Sequence, residues 1–196
     1  MTTLSDIRTR LRLDLGDPAS DRWDDAALDR HIAHALSELS AASPRELTAT
    51  LATTPGSREL SLASIEGLIE VEAVEYPVDR FPPCYVRFAT WEATLTLHTA
   101  AAPEGGDARL SCTAAHTLDD DGTTLPAVLE DVLLTGAAAY AALELSSATI
   151  EQLNLNGATP TAYGGLARAR LTAFHQLLQL HGRKNRVRTR TLYAPA

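Results

Sequence analysis

The stretch "CTAAHTLDDDGTTLPAVLEDVLLTGAAAYAAL", Cys112 to Leu143, holds the transition on which the fold turns. Its opening continues "ARLS" with a period of 2, the pattern of a strand running to Leu118. "DDDGTT" is turn chemistry. From Pro126 the period becomes helical, and a proline in a first helical turn costs little because its missing N–H would have no partner there. Strand texture upstream and helix texture downstream meet at one acidic turn.

Downstream, "LPAVLEDVLLTGAAAYAALELSSATIEQ" predicts one long helix. Gly136 and Ala137, Ala138 and Ala139 leave one side nearly smooth, so another backbone can approach there, next to Tyr140. "NLNGATP" breaks the chain. "TAYGGLARARLTAFHQLLQLHG" predicts a last helix, with Leu166, Leu171, Phe174, Leu177, Leu178 and Leu180 as apolar positions and Gly182 as its stop.

Upstream, residues 46–118 alternate in short runs. "ELTATLATT" and "ELSLAS" flank the turn "PGSR". "LIEVEAVEYP" is expected to place Ile69, Val71 and Ala73 on one face and Glu70, Glu72 and Val74 on the other. "YVRFATWEATLTLHTAA" holds one or two strands, with Tyr85, Phe88 and Trp91 expected in the local core. Before residue 45 the texture is helical again. Leu4, Ile7, Leu11 and Leu15 recur at helical spacing, with Ser5 as N-cap, Asp6 in the first turn and Gly16 as the stop. Asp24 caps a second helix with the stripe Leu28, Ile32, Ala35, Leu36 and Leu39, and Pro44 follows its end.

The predicted fold class is α+β: a four-helix-type α bundle of two N-terminal and two C-terminal helices, interrupted by an antiparallel β barrel or sandwich. Residues 1–45 and 124–182 form the helical core, 46–123 the β insertion, and 183–196 an extended arm. Apolar residues make up 45% of the 196, enough for a packed core rather than general disorder. No run is long and apolar enough for a bilayer, and the N-terminus has no uncharged signal core. A soluble protein made in a cytoplasm is expected. Cys84 and Cys112 are expected to be buried free thiols.

Sites for chemistry are sparse. His31 and His34 share a helix without a third ligand at supporting spacing, so they are read as facing solvent or an interface. "DDDG", Asp119 to Gly122, lacks the alternating ligands of a calcium loop. "AYGGLAR" lacks the Lys-Ser/Thr of a phosphate loop. No catalytic residue, metal or cofactor is assigned. An enzyme with a site in the β insertion remains a competing reading, to be revived by converging titratable groups in a cleft.

Charge is the sharpest feature. Five of the 17 basic residues, Arg183, Lys184, Arg186, Arg188 and Arg190, lie in the last 14 residues, with Leu192 and Tyr193 behind them. The other 12 face all 25 acids, so residues 1–182 carry a formal −13. "RVRTRTLY" alternates with period 2, as an arm adding a strand to a partner would. Its arginines suit carboxylates. Fully extended, 14 residues reach roughly 45 Å.

"IRTRLRLDLGDPASDRWDDAALDRHIAHALSELSAASP", with "LGD" closing the first helix and "RWDDAALDRHIAHAL" opening the second, resembles the head-to-tail adaptor (connector) proteins of tailed bacteriophages. The stretch 112–143 is similar to their second half: a strand ending in "AAHTL", an acidic turn, "TTLP" and a Gly/Ala-rich helix. Together these cover about 70 of the 196 residues in the right order. The β insertion matches in texture alone and the arm in position alone.

The resemblance implies a structural protein at the virion neck. Such adaptors form a ring, usually twelve-fold, under the portal protein, extend the DNA channel and seat the next neck or tail protein. Their C-terminal arms reach onto the portal. On this reading residues 183–193 dock on the portal and Gly136 to Tyr140 pack helices within or between copies. Packaged DNA passes without specific binding, since an acidic wall repels phosphates. No membrane is involved. The alternative is a DNA-binding module using the first two helices and the arm. Against it, "DDAALDRHIAHAL" carries Asp24, Asp25 and Asp29 against Arg30.

Overall fold

The computed structural model describes residues 2–151 and 160–182. They divide into two compact units. One takes the chain up to Ser43 and again from His116, and the other takes Pro44–Ala115.

In the helical unit, α1 (Leu4–Leu15) starts at Thr3 rather than Ser5. Thr3 Oγ1 accepts the Asp6 N–H, and Asp6 Oδ2 accepts the Thr3 N–H at 2.9 Å. This reciprocal box satisfies two end donors, which a cap at Ser5 would leave open. Gly16 closes the helix at φ 66°, donating to Arg12 and Leu13 carbonyls. α2 (Asp25–Ala42) begins at Asp24, whose carboxylate accepts the Ala27 N–H at 2.7 Å. α3 spans Ala127–Glu151 and α4 spans Pro160–Gly182.

The expected stripes meet. Ile7 and Leu11 of α1, and Leu28, Ile32, Ala35 and Leu39 of α2, cluster with Leu129, Val132 and Leu133 of α3 and Phe174 and Leu178 of α4. Each large side chain buried here stabilises the unit by about 1.5–3 kcal/mol. Leu171 and Leu177 pack at the margin, whereas Leu166 and Leu180 are exposed. The acidic turn is closed by Asp119 Oδ1, which accepts the Asp121 and Gly122 N–H groups, both at 2.9 Å.

The β unit holds two three-stranded antiparallel sheets. β1 (Arg45–Ala52), β6 (Asp107–Ala114) and β3 (Leu68–Glu75) form one, in the order β1-β6-β3. β2 (Glu59–Ser61), β5 (Thr94–Leu97) and β4 (Phe88–Trp91) form the other, in the order β2-β5-β4. No closed barrel forms among the described residues. Both sheets contribute to one core of Leu60, Leu62, Val71, Val74, Leu95, Leu97, Ala108, Leu110 and Cys112.

Three expectations fail here, each for a local reason. Register shifts between Leu68 and Glu70 and between Val71 and Ala73 insert extra residues into β3. They turn Ile69 outward, half exposed, and bring Val71 and Val74 to one face, opposite Cys112 and Leu110. Trp91 is not core: β4 is an edge strand and the indole is 81% exposed, while Tyr85 and Phe88 are half-buried. Cys84 is exposed, lying where the chain leaves an irregular Pro-rich loop; Cys112 is buried as expected.

Candidate functional site

Three helices converge on Glu38. It stands one turn beyond His34 on α2, so His34 Nε2 lies 3.2 Å from Glu38 Oε1. Tyr140 of α3 donates its hydroxyl to the same oxygen at 2.6 Å. His175 of α4 approaches Glu38 Oε2 at 3.7 Å. The rings of His34 and Tyr140 meet edge-on with centroids 4.3 Å apart, and Tyr140 meets Phe174 the same way at 6.3 Å. Burial, then the bond to a carboxylate, pushes the Tyr140 phenol well above its ordinary pKa. The phenol therefore holds its proton. This group clasps α2, α3 and α4 and offers no activated nucleophile.

Beside it opens a groove lined by Arg30, His31, His34, Tyr140, Leu143 and Glu144. Arg30 donates to Glu144 Oε2 at 2.6 Å, and His31 Nε2 reaches the same oxygen at ion-pair range without hydrogen-bond alignment. Burial lowers the His31 pKa, and Glu144 opposes that only in part. Burial would raise the Glu144 carboxyl, but Arg30 and His31 hold it below its usual value. His31 is thus buried rather than solvent-facing, and His34 is exposed. Among the described residues, no group of three or more His, Cys, Asp or Glu is placed to hold a metal ion. No helix among them is long and apolar enough to cross a membrane.

The arginines of α1 are already engaged. Arg8 pairs with Asp29 at 2.9 Å and Asp25 at 3.4 Å. Arg10 pairs with Glu130 at 2.8 Å and Asp131 at 2.7 Å. Arg12 pairs with Asp25 at 2.7 Å and donates to the Trp23 carbonyl at 2.8 Å. Each cation lies between acids of its own unit, which is where a phosphate would have to bind.

Gly136 is buried in α3 and faces the Phe174 ring of α4; Ala137, Ala138 and Ala139 are buried beside it. Tyr140 is half-buried in the Glu38 clasp. The smooth side thus receives an aromatic side chain within the chain. Arg183, Lys184, Arg186, Arg188, Arg190, Leu192 and Tyr193 lie outside the described residues, as does most of "NLNGATP". Sequence reading missed Glu38 and His175, because the clasp joins positions far apart in the chain that carry no shared motif.

A family model described as SU10 adaptor protein matches residues 2–193, and the chain belongs to that family of phage head-tail adaptors. Its role is that of a structural adaptor component of the virion. No curated protein matched the chain.

Proposed function

We propose that this SU10-family adaptor assembles as a ring between the portal and the neck or tail, extends the DNA channel, and anchors through its C-terminal arm. The observation that carries the reading is the charge division: a formal −13 over residues 1–182 against five cations and no acid in the last 14. An acidic body lets duplex DNA slide past without capture. A basic, period-2 arm suits an acidic groove or sheet edge on another protein. A twelve-fold ring follows the usual symmetry of such adaptors. The channel wall comes from the acidic body, and the next neck or tail protein seats on the face away from the portal.

The alternative DNA-binding reading loses support from α1. A helix pair gripping phosphates needs free cations, and Arg8, Arg10 and Arg12 are all paired with carboxylates. The arm alone would bind duplex weakly and with steep salt dependence.

The test is binding of the full chain, of a chain ending at Gly182, and of R186E/R188E/R190E to the assembled portal, with electron microscopy of the complexes. Rings seated on the portal by the full chain alone support the whole reading. Equal docking by all three leaves the adaptor role and removes the arm as anchor. No docking by any overturns the portal as partner.

A further inference from the structure

The longest open strand edge in the β unit belongs to β1, an eight-residue strand at the margin of its sheet. Its register on β6 pairs Arg45 with Ala114 through to Ala52 with Asp107, and the Thr53 N–H continues that register by donating to the Gly106 carbonyl at 2.8 Å. Antiparallel bonding alternates, so the odd-numbered residues 45–51 bond β6. The N–H and C=O groups of Glu46, Thr48, Thr50 and Ala52 therefore point to the open edge. No described strand pairs there. Such an edge, without proline and flat in its alternation, is a template for another strand. Leu47 and Leu51, on the inner face, pack on the core but stay only partly covered.

The outer face near the start of β1 is acidic. Glu46 and Glu70 both stand opposite Thr113, one on each side of β6. Glu72 joins them, and none of the three has an ion pair among the described residues. Burial and the neighbouring Glu46 and Glu70 raise the Glu72 pKa, as expected for carboxylates crowded without a cation.

The end of α4 meets the end of α2, from which the chain runs on into β1. Gly182 packs so closely on Ala42 that a Cβ would sit 2.7 Å from the Ala42 carbonyl oxygen. β1 begins three residues after Ala42, and the arm begins directly after Gly182. The two segments leave from one place.

We propose that Arg186–Tyr193 adds to the open edge of β1 in its own chain as a parallel strand. Residues 183–185 span the approach, and eight arm residues match eight edge residues. Alternation then sets Arg186, Arg188 and Arg190 on the outer face, with Arg186 nearest the acidic start of β1, and Val187, Thr189, Thr191 and Tyr193 over Leu47 and Leu51. The inference rests on the strand-forming character of the arm given under Proposed function, and not on the portal as its partner. It adds that the arm is housed on its own chain until a partner offers a better edge.

The test is residue-resolved amide exchange on the full-length chain without any partner, compared with full-length R188P/T189P and R186E/R188E/R190E. The expected result is slow exchange at Glu46, Thr48, Thr50 and Ala52, faster by roughly tenfold or more in both variants. Exchange at Leu47, Ala49 and Leu51, bonded to β6, stays unchanged and reports that the unit is folded. The protection is independent of protein concentration. Equal exchange at the edge amides in all three chains overturns the proposal, and so does protection that vanishes on dilution, which would give the edge to another copy. Portal binding without edge protection removes this inference alone; edge protection without portal binding removes only the portal reading.

Discussion

Gly136 and Phe174 occupy one space between α3 and α4: a Cβ on Gly136 would stand 2.6 Å from Phe174 Cε2 and 2.7 Å from Cζ. The ring is fully buried, so it has nowhere to swing. Gly136→Ala gains helix propensity of about 1 kcal/mol but overpacks the contact at a cost of about 1–3 kcal/mol, so net destabilisation is expected. Phe174→Ala leaves a cavity and costs about 3–5 kcal/mol. In urea unfolding, G136A combined with F174L recovers part of the G136A loss, because the smaller side chain makes room for the methyl. Additive losses would show that the two residues do not share the space.

The Tyr140 hydroxyl gives a second check on the same helices. Tyr140→Phe keeps the ring contacts and removes the donor to Glu38, costing about 1 kcal/mol of stability. The phenol pKa is raised in the fold, so the protonated form is the stabilising one. Its contribution is complete below the unfolded value near 10 and is lost as pH rises through the higher folded value. An alkaline absorbance titration should show one phenol ionising late, and Y140F should remove that step. Loss of a step near the ordinary value of about 10, with the late step kept, would place the Tyr140 phenol in contact with water.

These contacts mark how far the sequence is legible. The helical stripes are visible because burial on a helix repeats locally; Leu28, Ile32, Ala35 and Leu39 are buried as their spacing requires. The sheet strands are visible as alternation, but β3 is misread because two register shifts reset its faces between Leu68 and Ala73. Trp91 is misread because apolarity does not say whether a strand is central or at an edge. Gly136 announces a close approach without naming its partner. The Glu38 clasp is silent, since His34, Tyr140 and His175 meet only once three helices have packed.

Asp17 predicts the acid limb of stability. It is buried in the turn after α1 and accepts the N–H groups of Asp21 at 2.9 Å and of Arg22 and Trp23 at 3.2 Å. Burial pulls its pKa up, but the three backbone donors and the nearby Arg12 prevail and hold it below the usual value. A depressed folded pKa means the stabilisation is fully present above the unfolded value near 4 and is lost as pH falls through the folded one. Asp17→Asn should lower stability at neutral pH and flatten the decline below about pH 4 in chemical denaturation. A decline of unchanged steepness would assign the acid sensitivity to other carboxylates, with Asp6, Asp25 and Glu144, all also lowered, as the candidates.

The two cysteines should differ sharply toward an alkylating agent. Cys84 is exposed, whereas Cys112 lies in the β-unit core beside Val71 and Leu110. Burial, with a smaller push from Glu72, raises the Cys112 thiol to about 11, so little thiolate exists there near neutral pH. Native protein treated with iodoacetamide at pH 8 should take one label, mapped by mass spectrometry to Cys84, and a second only in denaturant. Cys84→Ser should then give a native chain inert to the reagent. Labelling of Cys112 in the C84S chain, at a rate tracking urea well below the unfolding midpoint, would instead show that the β unit opens without the helical unit.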